Sequence, residues 1–197
     1  MPPISTNMHF GKIFIENSED EIDIPSFVLG IVSPETINED DFEELHSFDE
    51  DGNIDVREFY EQFNFKKLNV VQKSFVLGYY CHLWFDEYYK FNASKLTIHN
   101  NLEWSDKELG AAVKSTLKHY DYKAIDNFFE KYINEINEFN VKINMKEISG
   151  IDINKSKEKI REFSEENISG VIYPQLIEEN EYMRFIKNGC SKIMKSL

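Results

Sequence analysis

A histidine and an aspartate stand four residues apart in the otherwise apolar run Gly78-Tyr79-Tyr80-Cys81-His82-Leu83-Trp84-Phe85-Asp86. On a helix that spacing stacks His82 and Asp86 on one face, one turn apart. Neither an imidazole nor a carboxylate belongs between Leu77, Trp84 and Phe85 unless something offsets the cost of its burial. A bound metal ion does so, and so does a plain His–Asp hydrogen bond. Gly78 lies one turn before His82 on the same face, where the missing side chain lets another backbone or a ligand approach closely.

The elements that must position this pair are helical. Five prolines and eight glycines punctuate the 197 residues, and helical periodicity dominates. Leu68 to Phe91 reads as one long, largely buried helix. Ahead of it, Ser5 or Thr6 is placed to cap a first helix running to about Asn17 that carries His9. Pro25 suits the first turn of a short helix with Phe27, Val28, Leu29, Ile31 and Val32, broken by Ser33-Pro34-Glu35-Thr36. A polar, acidic stretch from Asn38 to Asp55 contains His46, and Asp55 with Glu58 opens a helix through Phe63. Ser105 and Glu108 mark a further capping box, for a helix to about His119. Asp121 to Asn137 reads as helical. The tail is expected to hold a helix near Lys155 to Phe163 and a last one from about Leu176 to Met194. Val141 to Met145 alternates in the manner of a brief strand. The expected architecture is all-α: one multi-helix domain over residues 1–197 with about eight helices around a buried central helix, residues 140–197 forming a helical C-terminal extension.

Spacing alone singles out only His82 and Asp86. Four blocks in order, however, resemble the bacterial zinc-dependent phospholipase C-like family, whose superfamily includes zinc-dependent single-strand nucleases. Thr6-Asn7-Met8-His9 resembles that family's opening histidine. Phe27-Val28-Leu29-Gly30-Ile31-Val32-Ser33-Pro34-Glu35 resembles its block ending in Pro-Asp. His46-Ser47-Phe48, followed by Gly52-Asn53-Ile54-Asp55 and Phe59-Tyr60, resembles its His-Phe block. Leu77 to Asp86 resembles its Leu-Gly-Tyr-x-x-His-Leu-x-x-Asp block, and Ile98-His99-Asn100-Asn101-Leu102 is a weaker fifth match. The likeness covers residues 1–110.

The resemblance implies a metal bound by Glu35, His46, His82 and Asp86, with Asp86 bridging to a second metal held by His9. The ion implied is zinc, one or two in number, with iron or manganese as alternatives. Asp86 or Glu35 is the implied general base for a metal-activated water, and a small-molecule phosphoester the implied substrate. Three departures stand out. Glu35 occupies a position where the family has aspartate. The phospholipases also use a mature amino terminus as a ligand, and no processing signal is seen here. A third metal finds only His99 and Glu103, at i,i+4, as a partial counterpart. The aromatic run Tyr79, Tyr80, Trp84, Tyr88 and Tyr89 is more naturally core than pocket. His119 reads as a surface residue.

Asp49-Glu50-Asp51-Gly52-Asn53-Ile54-Asp55-Val56-Arg57-Glu58 also resembles a calcium-binding EF-hand loop. Counted from Ser47, it places Asp49, Asp51, Gly52, Ile54, Asp55 and Glu58 at the third, fifth, sixth, eighth, ninth and twelfth positions. Serine replaces the first ligand and no second loop pairs with it, so an acidic solvated loop stands beside the calcium reading. There is no adjacent His-Asp dipeptide, Gly-rich phosphate loop, Gly-x-Ser-x-Gly elbow or Cys-x-x-Cys pair. HD-type phosphohydrolase, nucleotide, serine-hydrolase and zinc-ribbon readings therefore have no support.

The net charge of −14 argues against passive binding to nucleic acid or anionic lipid. A phosphate-bearing substrate held through a metal ion stays compatible with it. Two cysteines, Cys81 and Cys190, make no disulfide framework. No signal peptide and no spanning apolar segment is read, and a cytoplasmic protein is expected. The rival expectations are a catalytically inactive helical binding protein of the same fold, acting through its acidic surface, and a calcium-binding module built on the 47–58 loop.

Overall fold

Asn69 and Gln72 form a reciprocal cap on the longest helix of the computed structural model: the Gln72 amide donates to Asn69 Oδ1 at 2.9 Å and the Asn69 amide to Gln72 Oε1 at 3.2 Å. Two otherwise orphaned N–H groups are satisfied there, and the helix, α5, runs Val70–Asn92. The structure describes residues 2–38, 42–96, 98–99, 103–125, 128, 131–139, 148, 150–165, 173 and 176–197. Along the chain, α1 is Ile4–Asn17, α2 Ile24–Val32, α3 Phe42–Leu45, α4 Val56–Glu61, α6 Asp106–Ile125, α7 Ile133–Glu138, α8 Ile153–Glu165 and α9 Glu179–Ile193. No strand occurs among the described residues, where one isolated bridge joins Phe48 and Ile54. The protein is an all-α domain, and the proposed strand at Val141 to Met145 lies outside the described residues.

The central position of α5 follows from its composition. Every residue from Ser74 to Leu83 is buried, together with Phe85 and Asp86. The most extensive helix pair is α2 with α5. A Cβ on Gly30 would sit 2.1 Å from the Phe75 carbonyl oxygen, and one on Gly78 would sit 2.1 Å from that of Phe27. Each glycine thus admits the other helix's backbone, which answers the open question about Gly78 in favour of a backbone neighbour rather than a ligand. Around this pair, α1 packs on α6, α2, α5 and α9, while α8 packs on α2 and the 3-10 turn Ser33–Thr36. Cys81 and Cys190 are free and buried.

Several boundaries differ from the expected ones. Pro3 precedes α1 without a side-chain cap, and Ser5 and Thr6 lie inside the helix. Their hydroxyls go instead to a long-range carboxylate described below. The helix expected to end near His119 continues to Ile125. Of the helix expected from Asp121 to Asn137, the described residues place the start in α6, which runs to Ile125, and the later part in α7, Ile133–Glu138. Asp121 is buried on α6, where it is worth more as an acceptor than as a helix start. The Asp55 cap is present, accepting from the Glu58 amide at 2.8 Å, but α4 ends at Glu61 rather than Phe63. The Ser105–Glu108 box is formed, the Ser105 amide donating to Glu108 Oε2 at 2.9 Å and the Glu108 amide to Ser105 Oγ at 3.4 Å. No helix among the described residues is long and apolar enough to cross a membrane.

Candidate metal centre

The close α2–α5 crossing puts the last turn of α2 against His82. Its Nδ1 donates to the Ile31 carbonyl at 2.8 Å, which leaves Nε2 as a lone-pair acceptor aimed away from α2. Fixing one ring nitrogen on a backbone carbonyl is how metal-ligating histidines are commonly oriented. Asp86, one turn on, accepts from Asn7 Nδ2 through Oδ1 at 3.2 Å. Asn7 Nδ2 also lies 3.2 Å from His82 Nδ1. That second approach is no bond, because the Nδ1 proton already goes to Ile31.

Among the described residues three buried side-chain atoms lack a hydrogen-bond partner: Asn7 Oδ1, His82 Nε2 and Asp86 Oδ2. They belong to three side chains in mutual contact, all almost wholly excluded from solvent. Each such atom ordinarily costs about 1–3 kcal/mol. His82 Nε2 and Asp86 Oδ2 are 3.4 Å apart, and that separation discriminates between occupants. At bond lengths of about 2.0–2.1 Å and a tetrahedral angle, two ligand atoms of one zinc-like ion lie about 3.4 Å apart. Two acceptors sharing one water or ammonium, each about 2.8 Å from it, lie about 4.5 Å apart. The donor set fits a divalent ion.

Without an ion a proton can serve. Burial disfavours the His82 imidazolium, but the Asp86 carboxylate, aided by Glu35, outweighs burial and raises the His82 pKa. Burial likewise works against the Asp86 carboxylate, and His82 and Asn7 reverse it, lowering its pKa. Metal and proton therefore compete for the same pair.

His46 follows α3, whose end is held by the Tyr79 hydroxyl donating to the Leu45 carbonyl at 2.7 Å. His46 Nδ1 bonds the Phe42 carbonyl at 3.0 Å, the same one-nitrogen arrangement seen at His82. Burial, then the neighbouring His82, pushes the His46 pKa down to about 4, so its ring is neutral at pH 7. The two imidazole centroids are 6.2 Å apart. Two imidazoles sharing a tetrahedral ion stand about 5 Å apart, so His46 must close by about 1 Å to join His82. Glu35 is half-buried on the turn after α2, near enough for its charge to act on His82. That turn is tied to the tail: Ser156 Oγ of α8 lies 3.0 Å from Ser33 Oγ and 3.3 Å from Thr36 Oγ1.

His9 is oriented differently. Its Nδ1 bonds Asp121 Oδ1 at 2.9 Å. Asp121 is fully buried and also accepts from Ser5 Oγ at 3.0 Å, Thr6 Oγ1 at 2.7 Å and Tyr182 OH at 2.8 Å. One carboxylate thus binds α1, α6 and α9 together. Burial, then Asp121, pushes the Tyr182 hydroxyl well above its ordinary pKa, so it remains a donor. His99 and Glu103 are exposed and neither lies on a helix; the His99 amide bonds the Leu176 carbonyl at 2.8 Å.

Among the described residues no three His, Cys, Asp or Glu side chains converge as a preformed metal-binding group. His82, Asp86 and His46 are brought near one another with Glu35 at the edge, whereas His9 is anchored to Asp121. Sequence spacing points to neither Asn7 nor Asp121: Asn7 stands two residues before His9, and Asp121 has no local signal.

Asp49 and Asp55 of the 47–58 loop have their carboxylates engaged within it. Asp49 Oδ1 accepts from the Asp51 amide at 2.9 Å and the Asn53 amide at 2.8 Å, and Asp55 caps α4. Lys90 Nζ donates to the Gly52 carbonyl at 3.0 Å and to Asn53 Oδ1 at 2.9 Å. Glu87 accepts from the Ile54 amide at 3.1 Å. No family model, curated protein or solved structure matches this chain.

Proposed function

We propose that this chain is a divalent-metal-dependent hydrolase of phosphoesters, with zinc as the first candidate ion and its centre at His82 and Asp86. The observation that carries the reading is the pair of unpartnered buried atoms, His82 Nε2 and Asp86 Oδ2, 3.4 Å apart. The resemblance to the zinc-dependent phospholipase C-like family supports it. His46 is the next ligand, and Glu35 the fourth or the general base. His9, held by Asp121, is the residue available to a second ion. When bound, a divalent ion supplies Lewis acidity toward a phosphoryl oxygen and lowers the pKa of a water. The protein's own part is to hold His82 through the Ile31 carbonyl, to orient Asp86 through Asn7, and to offer Glu35 for a proton.

The burial of the pair favours one other reading: a charged His82–Asp86 couple ordering the core of a non-catalytic helical protein that binds a partner through its acidic surface. Turnover of p-nitrophenyl phosphate and bis(p-nitrophenyl) phosphate with added zinc, manganese or iron separates the two. The hydrolase reading expects turnover that chelation abolishes, falling about 100-fold or more in His82→Ala and about 10-fold or more in Glu35→Gln. Bound metal with no turnover of either phosphoester would favour the binding protein.

A further inference from the structure

We infer that Asn7 Oδ1 is a ligand of the cation at His82 and Asp86, beside His46 and with Glu35 left as the general base, and that Nδ2 of the same amide turns Asp86 so that its Oδ2 faces the ion. The inference rests on the metal reading above and extends it to a residue type outside the His, Cys, Asp and Glu set, among which no preformed group of three exists in the described residues.

The orientation of the amide is determined by its neighbours. With Nδ2 toward Asp86 Oδ1, 3.2 Å away, a donor meets a carboxylate. Flipped, the amide oxygen would take the place 3.2 Å from His82 Nδ1, whose proton is already on the Ile31 carbonyl, and would face the Asp86 carboxylate, acceptor against acceptor, so the charged neighbour decides. Oδ1 is therefore directed away from Asp86 Oδ1 and finds no protein partner, although Asn7 is fully buried.

A proton on His82 Nε2 serves His82 and Asp86 but leaves Asn7 Oδ1 without a partner, so only a cation serves the whole unpartnered set. With the Nδ1 proton of His82 on Ile31 and the ring neutral, Asn7 Oδ1, His82 Nε2 and Asp86 Oδ2 are all electron-pair donors. One water has only two hydrogens for three acceptors, and the 3.4 Å between two of them is too short for a shared water or ammonium. A metal ion accepts all three, and an amide oxygen is an ordinary ligand for divalent cations alongside imidazole and carboxylate. Asn7 is also held in place for the role. On the same helix, Ser5, Thr6 and His9 bond to Asp121 of α6, which bonds Tyr182 of α9. The α1 backbone is thereby clamped on both sides of Asn7, a preorganised support for a ligand.

The test is zinc affinity, by competition with a metallochromic chelator, together with zinc-induced shifts in thermal midpoint, for wild type, His82→Ala, Asn7→Leu and Asn7→Asp. Asn7→Leu keeps the approximate volume and removes both polar atoms. Asp86 Oδ1 loses its donor, so the metal-free midpoint should fall by a few degrees, while the zinc dissociation constant rises about 10–100-fold. Asn7→Asp keeps an oxygen ligand but sets a carboxylate against Asp86. Its metal-free midpoint should fall, and zinc should raise it by more than in wild type. If Asn7→Leu fails to fold, the zinc response of Asn7→Asp still decides. Wild-type zinc affinity in Asn7→Leu, or an Asn7→Asp that zinc does not rescue, would overturn the inference while leaving the His82 site standing. No zinc binding by wild type would overturn both.

Discussion

Gly78→Ala is expected to lower the thermal midpoint by roughly 10 °C. The added Cβ would lie 2.1 Å from the Phe27 carbonyl oxygen and 3.0 Å from the Ile31 amide nitrogen. Both atoms are α2 backbone, so no rotamer change relieves the clash and the two helices must separate. Overpacking of a tight core costs about 1–3 kcal/mol and more where backbone must move. A domain of this size loses about 2–4 °C per kcal/mol. The effect extends to the candidate site, because parting α2 from α5 withdraws the Ile31 carbonyl from His82 Nδ1. Gly110→Ala is the control: it lies inside α6 with nothing within 4 Å of a new Cβ, and should stabilise by about 0.5–1 kcal/mol. Thermal melts of both variants check the pair. An unchanged midpoint in Gly78→Ala would contradict the α2–α5 crossing.

Asp121→Asn should be comparably damaging. Asp121 receives four donors, two on each oxygen. Replacing one oxygen by an NH2 group sets a donor against two donors at a fully buried position. Two buried groups left unsatisfied cost about 1–3 kcal/mol each, a fall in midpoint on the order of 10 °C. The same change releases the clamp that holds α1 near Asn7, so zinc affinity should fall with stability. Chemical denaturation beside zinc titration checks both. A variant as stable as wild type would mean that the carboxylate is not the hub joining α1, α6 and α9.

What could be read from sequence was local. The apolar run around His82 and Asp86 specified a buried helix, and Ser105 with Glu108 marked a real helix start, because caps and helical stripes depend on residues three or four apart. Ser5 and Thr6 show where such reasoning stops. Their types suit a cap, but their hydroxyls are taken by Asp121, 116 and 115 positions away. Asn7 was hidden for the same reason, since its contacts with His82 and Asp86 span 75 and 79 positions. The α6 boundary was misjudged because Asp121 resembles a helix start and is a buried acceptor. Gly78 marks a close approach in the sequence, but whether a backbone or a ligand fills the space depends on Gly30 presenting a second bare surface to it.

Elemental analysis of the untagged, purified protein after incubation with zinc, wild type beside His82→Ala, tests the central claim most directly. Near-stoichiometric zinc, iron or manganese in wild type and its loss in His82→Ala is the predicted result. No transition metal in either protein would contradict it and leave His82 and Asp86 as a structural ion pair.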